Sequence, residues 1–359
     1  MIPVTKTFLP PIDEYQSYLQ EIWASNQVAN GGKLLFDLQK KIKEYLGVHN
    51  IVLTTNGTLP LQIALKVLAA KGEVITTPFS YVATTSTIVW ENCTPVFVDI
   101  HPEYLTIDES KIEAAITDKT SAILATHVFG NPCNVEEIER IAKKHNLKVI
   151  YDAAHCFGVK YKGRSLFDYG DMSTCSFHAT KLFHTGEGGA MFCRDEDLFN
   201  KLFYSHNFGH KGELDFYGLG INAKMSELQA AMGLAVLPYV NSLIQKRKEI
   251  AGIYDELLNF ENLRKIALRK DTDWNYSYYP VIFESETQLL NVQHALNQKM
   301  IFPRRYFYPS LNTLNYVAFT EMRISEGISK RILCLPLYKD LENSEIDLIS
   351  GIVNQEIQK

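Results

Sequence analysis

Seven short apolar segments alternate with helix-like stretches through the first two hundred residues, and this alternation constrains the fold more than any other property of the chain. The strand candidates are Ile51–Thr54, Val74–Thr76, Val96–Asp99, Ala122–Thr126, Val149–Asp152, Thr174–Phe177 and Ala190–Cys193. Between several of them the pattern predicts helices over Leu59–Ala70, Val82–Trp90, Ser110–Ile116 and Val135–His145. Strands separated by helices predict an α/β fold in which a mostly parallel sheet is sandwiched by helices. Ligands on such sheets bind outside the carboxyl ends of the strands. Asn56, Gly57, Thr58, Asp152 and His155 fall there.

After Phe216 the pattern changes. Met225 to Glu249 reads as one long helix with Leu228, Met232, Ala235 and Val236 on one side, and Pro238 is expected to kink or end it. From about Ala251 the strands are fewer, and helices are expected near Gln288–Lys299 and Ser344–Ile357. A chain of 359 residues is too long for one ordinary core. The expected division is a large ligand-binding domain over 1–245 and a small C-terminal α/β domain over 246–359.

Composition narrows the function. The net charge of −5 gives no electrostatic support to a nucleic-acid or membrane-surface role. Met1 to Tyr15 holds three prolines and two acids, so it is not expected to be a signal-peptide core. No apolar run approaches the roughly 20 residues of a membrane helix. Six cysteines form no Cys-x-x-Cys pair, which fits reduced thiols in a cytoplasmic enzyme. The ten histidines are scattered and no metal site is expected.

The densest chemical signal is Ser176 to Ala190, which contains Lys181 and then Gly186-Glu187-Gly188-Gly189. Upstream, Asp152 ends the apolar run Val149-Ile150-Tyr151. An acid that can face a ring nitrogen, a lysine that can face an aldehyde carbon, and glycines that admit a close approach of backbone are the parts that pyridoxal phosphate chemistry needs. Each part has a plainer reading. Lys181 could be a surface lysine, and Asp152 could cap a following helix. Asn56-Gly57-Thr58 opens the helix Leu59–Ala70, where backbone amides and the Thr58 hydroxyl could bind phosphate, or where Asn56 or Thr58 could simply cap. Ser176 could add a second hydroxyl, and Tyr81 could stack on a ring or belong to the core. Arg305, Tyr306 and Tyr308 could meet a sugar nucleotide, Arg suiting diphosphate and tyrosine a base or ring, or form an exposed aromatic loop. Gly158 to Ser165 nearly fits a phosphate loop but lacks its lysine and reads as a hairpin turning at Lys162-Gly163. Asp271-Thr272-Asp273 reads as a polar loop and not as the carboxylate pair of a metal-dependent glycosyltransferase.

Four blocks together carry a family resemblance: Thr55-Asn56-Gly57-Thr58, Tyr151-Asp152-Ala153-Ala154-His155, Ser176 to Gly189, and Gly220-Ile221-Asn222-Ala223-Lys224-Met225-Ser226-Glu227. Over nearly its whole length the chain resembles the DegT/DnrJ/EryC1/StrS sugar aminotransferases, which have the type I aminotransferase fold. The resemblance implies pyridoxal 5'-phosphate as cofactor, with Lys181 as its covalent anchor and proton carrier and Asp152 on the pyridine nitrogen. It implies that His155 contacts the ring hydroxyl, that Gly57, Thr58 and Ser176 hold the phosphate, and that Tyr81 stacks on the ring. It also implies a homodimer with shared active sites, in which Asn222 reaches the neighbour's phosphate. Ile2-Pro3-Val4-Thr5-Lys6, Asn56 to Leu59 and Phe177 to Lys181 resemble the branch that aminates dTDP-4-keto-6-deoxyglucose at C4, with glutamate as donor. Amination of a 3-keto sugar, a dehydratase of the same fold and a non-catalytic sugar-nucleotide sensor are the alternatives.

Overall fold

The computed structural model describes residues 1–69 and 71–359. All seven expected strands join one sheet, ordered Asn50–Thr54, Gly189–Cys193, Met172–Ser176, Lys148–Asp152, Thr120–Thr126, Gly72–Thr76 and Cys93–Phe97 from edge to edge. Gly189–Cys193 runs antiparallel to both its neighbours, and the other six strands share one direction. Their apolar runs do not alternate with polar residues because both faces of the sheet are covered. Successive side chains enter opposite cores: Ile123, Ala125, Val149 and Tyr151 lie in one cluster, and Ala122, Leu124 and Ile150 in the other.

The helices Val82–Trp90 and Val135–His145 have the expected bounds. The second starts where the Asn134 side chain accepts from the Glu137 amide and stops where Asn146 turns left-handed at φ 52°. The helix from Leu59 is α-helical to Ala64 and widens into a π-turn over Leu65–Ala69; its expected end, Ala70, lies outside the described residues. The Ser110–Ile116 helix is α-helical over Glu109–Ile112 and tightens into a 3-10 turn over Glu113–Ala115. Pro238 interrupts the expected long helix, as a residue without an N–H must: Glu227–Val236 gives way to a 3-10 turn, Leu237–Tyr239, and then to Val240–Leu257.

Two N-terminal helices, Ile12–Ser25 and Lys33–Leu46, pack against Glu227–Val236. The second is capped across the fold. Buried Glu227 accepts the amides of Leu34 at 2.9 Å and Leu35 at 3.0 Å.

The hairpin at Lys162-Gly163 is present, with φ 51° and 76° at the two turn residues, both positive as a type I′ turn requires. Thr272–Asp273 departs from its expected loop. It pairs antiparallel with Lys160–Tyr161 and so extends the hairpin by one strand. The pairing comes from tertiary contact, and a two-residue strand leaves no periodicity in the sequence.

One apolar cluster gathers residues from Ile22 to Leu243; a second gathers Ile250 to Ile357 together with Ile2. The helix Val240–Leu257 runs from the first into the second. The second is built on an antiparallel sheet of Leu263–Lys265, Tyr279–Phe283 and Ile332–Leu335, backed by helices Glu286–Gln298 and Asn343–Ile357. Ile2–Pro3 pairs parallel with Ile301–Phe302. Among the described residues no helix is long and apolar enough to cross a membrane. All six cysteines are buried and unpaired.

Candidate active site

Because six strands share a direction, their carboxyl ends meet at one edge of the sheet. Strand Asn50–Thr54 delivers the turn Asn56–Thr58, Lys148–Asp152 delivers Asp152, and Met172–Ser176 delivers Ser176. They line one cavity of about 310 Å³, together with Tyr81, His155, Lys181 and Tyr306.

The turn after Thr54 is held tightly. The Asn56 side-chain oxygen accepts the amides of Thr58 and Leu59, both at 2.9 Å. Asn56 therefore caps the helix, and the Thr58 hydroxyl is left exposed at the cavity. A β-carbon on Gly57 would stand 2.7 Å from Ser176 Cβ and 2.9 Å from its Oγ. Gly189 sits against the backbone of Asn56 in the same way, with the Asn56 carbonyl oxygen nearest. The glycines thus let strands Asn50–Thr54, Met172–Ser176 and Gly189–Cys193 converge beside two hydroxyls. They also leave a cradle that any other side chain would fill.

Asp152 is buried. Its Oδ2 accepts from the Thr84 hydroxyl at 2.7 Å and its Oδ1 from the Ala154 amide at 3.1 Å. Burial raises its pKa, against the Thr84 hydrogen bond, the Ala154 amide and the Lys181 charge. Among the described residues no cation forms an ion pair with it. A buried carboxylate on a cavity wall without a paired cation suits a cationic ligand atom.

Lys181 is half-buried, with Nζ 3.5 Å from the Tyr278 hydroxyl. Desolvation lowers its amine below the ordinary lysine value, against the opposing charges of Tyr306 and Asp152. This is the change that turns an ammonium into a nucleophile or base. Burial pushes the Tyr306 phenol up to about 12. His155 is buried, and desolvation followed by the Lys181 charge holds it neutral. Its Nδ1 accepts from the Phe129 amide at 3.1 Å, so the ring's one proton sits on Nε2. Asn275 and Ser277 fix the same residue by donating to its carbonyl at 2.8 and 2.5 Å.

The residues expected from sequence divide into two groups. Asn56, Gly57, Thr58, Tyr81, Asp152, His155, Ser176, Lys181 and Tyr306 line the cavity. Arg305, Tyr308 and Asn222 do not. The Arg305 guanidinium bonds Glu286 at 2.6 Å and lies over the Tyr308 ring, 3.7 Å from its centroid. Its neighbour Arg304 lines the cavity instead. Asn222 is exposed and accepts from Lys224 Nζ at 2.7 Å. Sequence reasoning missed Thr84, Tyr278 and Arg304. The aromatic run Tyr276-Ser277-Tyr278-Tyr279 was the available signal for Tyr278. His206 and His210 stand four apart, but the chain leaves its helix at His206. Among the described residues no group of three His, Cys, Asp or Glu could hold a metal.

The cradle at Gly57, the hydroxyls of Thr58 and Ser176, the unpaired carboxylate and the depressed amine fit a phosphorylated pyridine aldehyde.

Comparison with known proteins agrees with this chemistry. Residues 12–354 match the model of the DegT/DnrJ/EryC1/StrS aminotransferase family. The chain is 40% identical over 359 residues to a dTDP-4-amino-4,6-dideoxy-D-glucose transaminase of Shigella dysenteriae, covering 98% of each. It is 40% identical to the protein of the same name from Escherichia coli, covering 96% of this chain and 95% of that one. The crystal structure of DesI in the presence of its TDP-sugar product superposes with a TM-score of 0.94 at 29% identity, covering 100% of this chain and 93% of that one.

Proposed function

This chain belongs to the DegT/DnrJ/EryC1/StrS aminotransferase family, and from that premise we propose that it moves an amino group from glutamate to a nucleotide-linked keto sugar, with pyridoxal 5'-phosphate in the cavity around Lys181. The keto sugar we assign is dTDP-4-keto-6-deoxyglucose, aminated at C4. The names of the two 40% relatives support that substrate. The observation that carries the reading is Lys181, its amine depressed by burial, on the wall of a cavity shared with the buried carboxylate of Asp152.

When bound, the cofactor supplies an aldehyde carbon that links to amines and a ring that accepts electrons. Thr58 and Ser176 would donate their hydroxyls to its phosphate, and Gly57 would leave room for it. Asp152 would hold a proton on the ring nitrogen. His155 would donate its Nε2 proton to the ring hydroxyl, since its Nδ1 is already engaged. Tyr81 would cover the exposed ring face. Lys181 would carry a proton between two carbons on one face, first away from glutamate and then, in reverse order, toward the sugar. One mobile base suffices for both transfers because the two half reactions are mirror images. Asn222, exposed and outside its own chain's cavity, would complete the site of a second copy in a homodimer. Six buried, unpaired thiols support a cytoplasmic setting.

The test is incubation with glutamate, added coenzyme and a small panel of nucleotide-linked keto sugars, with the new amine located by NMR. The expected product carries nitrogen at C4 of the dTDP sugar. Lys181→Ala should lose both turnover and the visible absorbance of the bound coenzyme. Parent-level transamination by that variant would sink the assignment of the lysine.

A further inference from the structure

Three buried hydroxyls stand in a row that ends on Asp152. Thr126 ends the neighbouring strand Thr120–Thr126 and is the register partner of Asp152. Ser80 lies in the loop after Gly72–Thr76, and Thr84 lies in the first turn of helix Val82–Trp90. Their contacts run Thr126 to Ser80 at 3.0 Å, Ser80 to Thr84 at 2.7 Å, and Thr84 to Asp152 at 2.7 Å. All three residues are buried.

A hydroxyl has one proton to give, and an ionised carboxylate has none. Thr84 spends its proton on Asp152, so Ser80 must be the donor to Thr84. Ser80 has then spent its own, so Thr126 must donate to Ser80. With Asp152 ionised the row has only this one direction, and each donor polarises the next toward the carboxylate. Protonating Asp152 removes the acceptor that sets the direction. The charged and titratable groups around the carboxylate are few. Lys181 faces it, His155 is neutral, and burial keeps the thiols of Cys156 and Cys175 protonated. The anion is therefore supported against desolvation by the Ala154 amide on Oδ1 and by the hydroxyl row, through Thr84, on Oδ2.

We propose that Thr126, Ser80 and Thr84 form a one-directional hydroxyl relay that positions Asp152 and keeps it ionised for the ring nitrogen it would face. The relay rests on the coenzyme-binding reading given above. Thr126, Ser80 and Thr84 are positioning residues; they act through Asp152 and touch no substrate.

Two measurements test it. The first follows retention of pyridoxal 5'-phosphate across pH by visible absorbance after gel filtration. Removing donors raises a carboxylate's pKa, so the acid limb of retention should move up. In Ser80→Ala and Thr126→Val the limb is expected about one unit higher, with the coenzyme dissociation constant raised about tenfold at a pH on that limb. Thr126→Ser keeps the hydroxyl and should restore the parent limb. The second measurement follows the Asp152 carboxyl carbon by NMR in coenzyme-free protein, where Ser80→Ala should shift its titration upward. An Asp152 titration unmoved in Ser80→Ala, or a Thr126→Ser protein that behaves as Thr126→Val does, overturns the relay. A parent protein that retains no coenzyme at any pH overturns the binding reading, and with it the relay's purpose, even where the NMR shift is seen. If Thr126→Val does not fold, Ser80→Ala alone decides the matter.

Discussion

Gly57 is where one missing carbon matters most. A β-carbon there would be 2.9 Å from the Ser176 Cα, so backbone as well as side chain would have to move. Gly57→Ala should therefore push the Thr58 and Ser176 hydroxyls apart. Overpacking of this kind costs about 1–3 kcal/mol. The expected outcome is coenzyme binding weakened roughly tenfold or more, with the coenzyme-free melting temperature lowered as well. A coenzyme titration and a melting curve both matching the parent would refute the cradle. Asp152→Asn isolates a different property of the proposed site: a ring nitrogen held there would lose its anionic partner, so proton removal from glutamate should slow by orders of magnitude while some coenzyme remains bound. Stopped-flow measurement of the glutamate half reaction checks this, and an unchanged rate would mean another group protonates the ring. The cavity residues were legible because they follow strand ends in sequence. Arg304 was not, and Arg305 was named in its place. In an extended segment neighbouring side chains leave on opposite sides, and nothing in Arg304-Arg305 indicates which side meets the cavity. Thr84 was hidden among the threonines of its helix, its role evident only once Asp152 lay beside it.

At the scale of elements, the sheet was easy to read and its supports were not. Val149-Ile150-Tyr151 and its counterparts are apolar without interruption, so seven strands stood out whatever their order. The order itself, with Gly189–Cys193 reversed among parallel neighbours, leaves no mark on any one strand. The helix Lys33–Leu46 shows why caps can escape notice. Its amides are met by a carboxylate from Glu227, which stands 193 positions from Leu34. The Cβ of any residue replacing Gly32 would meet the Glu227 carboxyl carbon at 2.5 Å. Glu227→Ala would leave two amides at a helix start without an acceptor. It should cost about 1–3 kcal/mol, as loss of hydrogen bonds to a buried charged group does, with Glu227→Gln in between. Urea denaturation of the coenzyme-free variants reads the difference, and a midpoint equal to the parent's would show that the cap contributes nothing.

For the whole molecule, the segment from Phe208 to Ile221 gathers exposed apolar side chains. Leu214 is 95% exposed, and Phe208, Phe216, Leu219 and Ile221 are exposed with it. Apolar groups so concentrated are what the homodimer proposed above would cover. Asn222 follows this segment directly. If that residue serves a neighbour's site, chains bearing Lys181→Ala and chains bearing Asn222→Ala should complement each other. Mixed and re-formed dimers are expected to regain part of the turnover that each parent variant lacks. Sedimentation as a monomer, or no recovery on mixing, would count against shared sites.

The parallel pairing of Ile2–Pro3 with Ile301–Phe302 sets an order of events during synthesis. Residues that leave the ribosome early must wait for a partner made near the end, and a contact so distant along the chain closes slowly. The unit from Ile250 to Ile357 cannot be complete until Ile2–Pro3 returns to it, so a bulky group fused just ahead of Ile2 would burden a part of the molecule far from it in sequence.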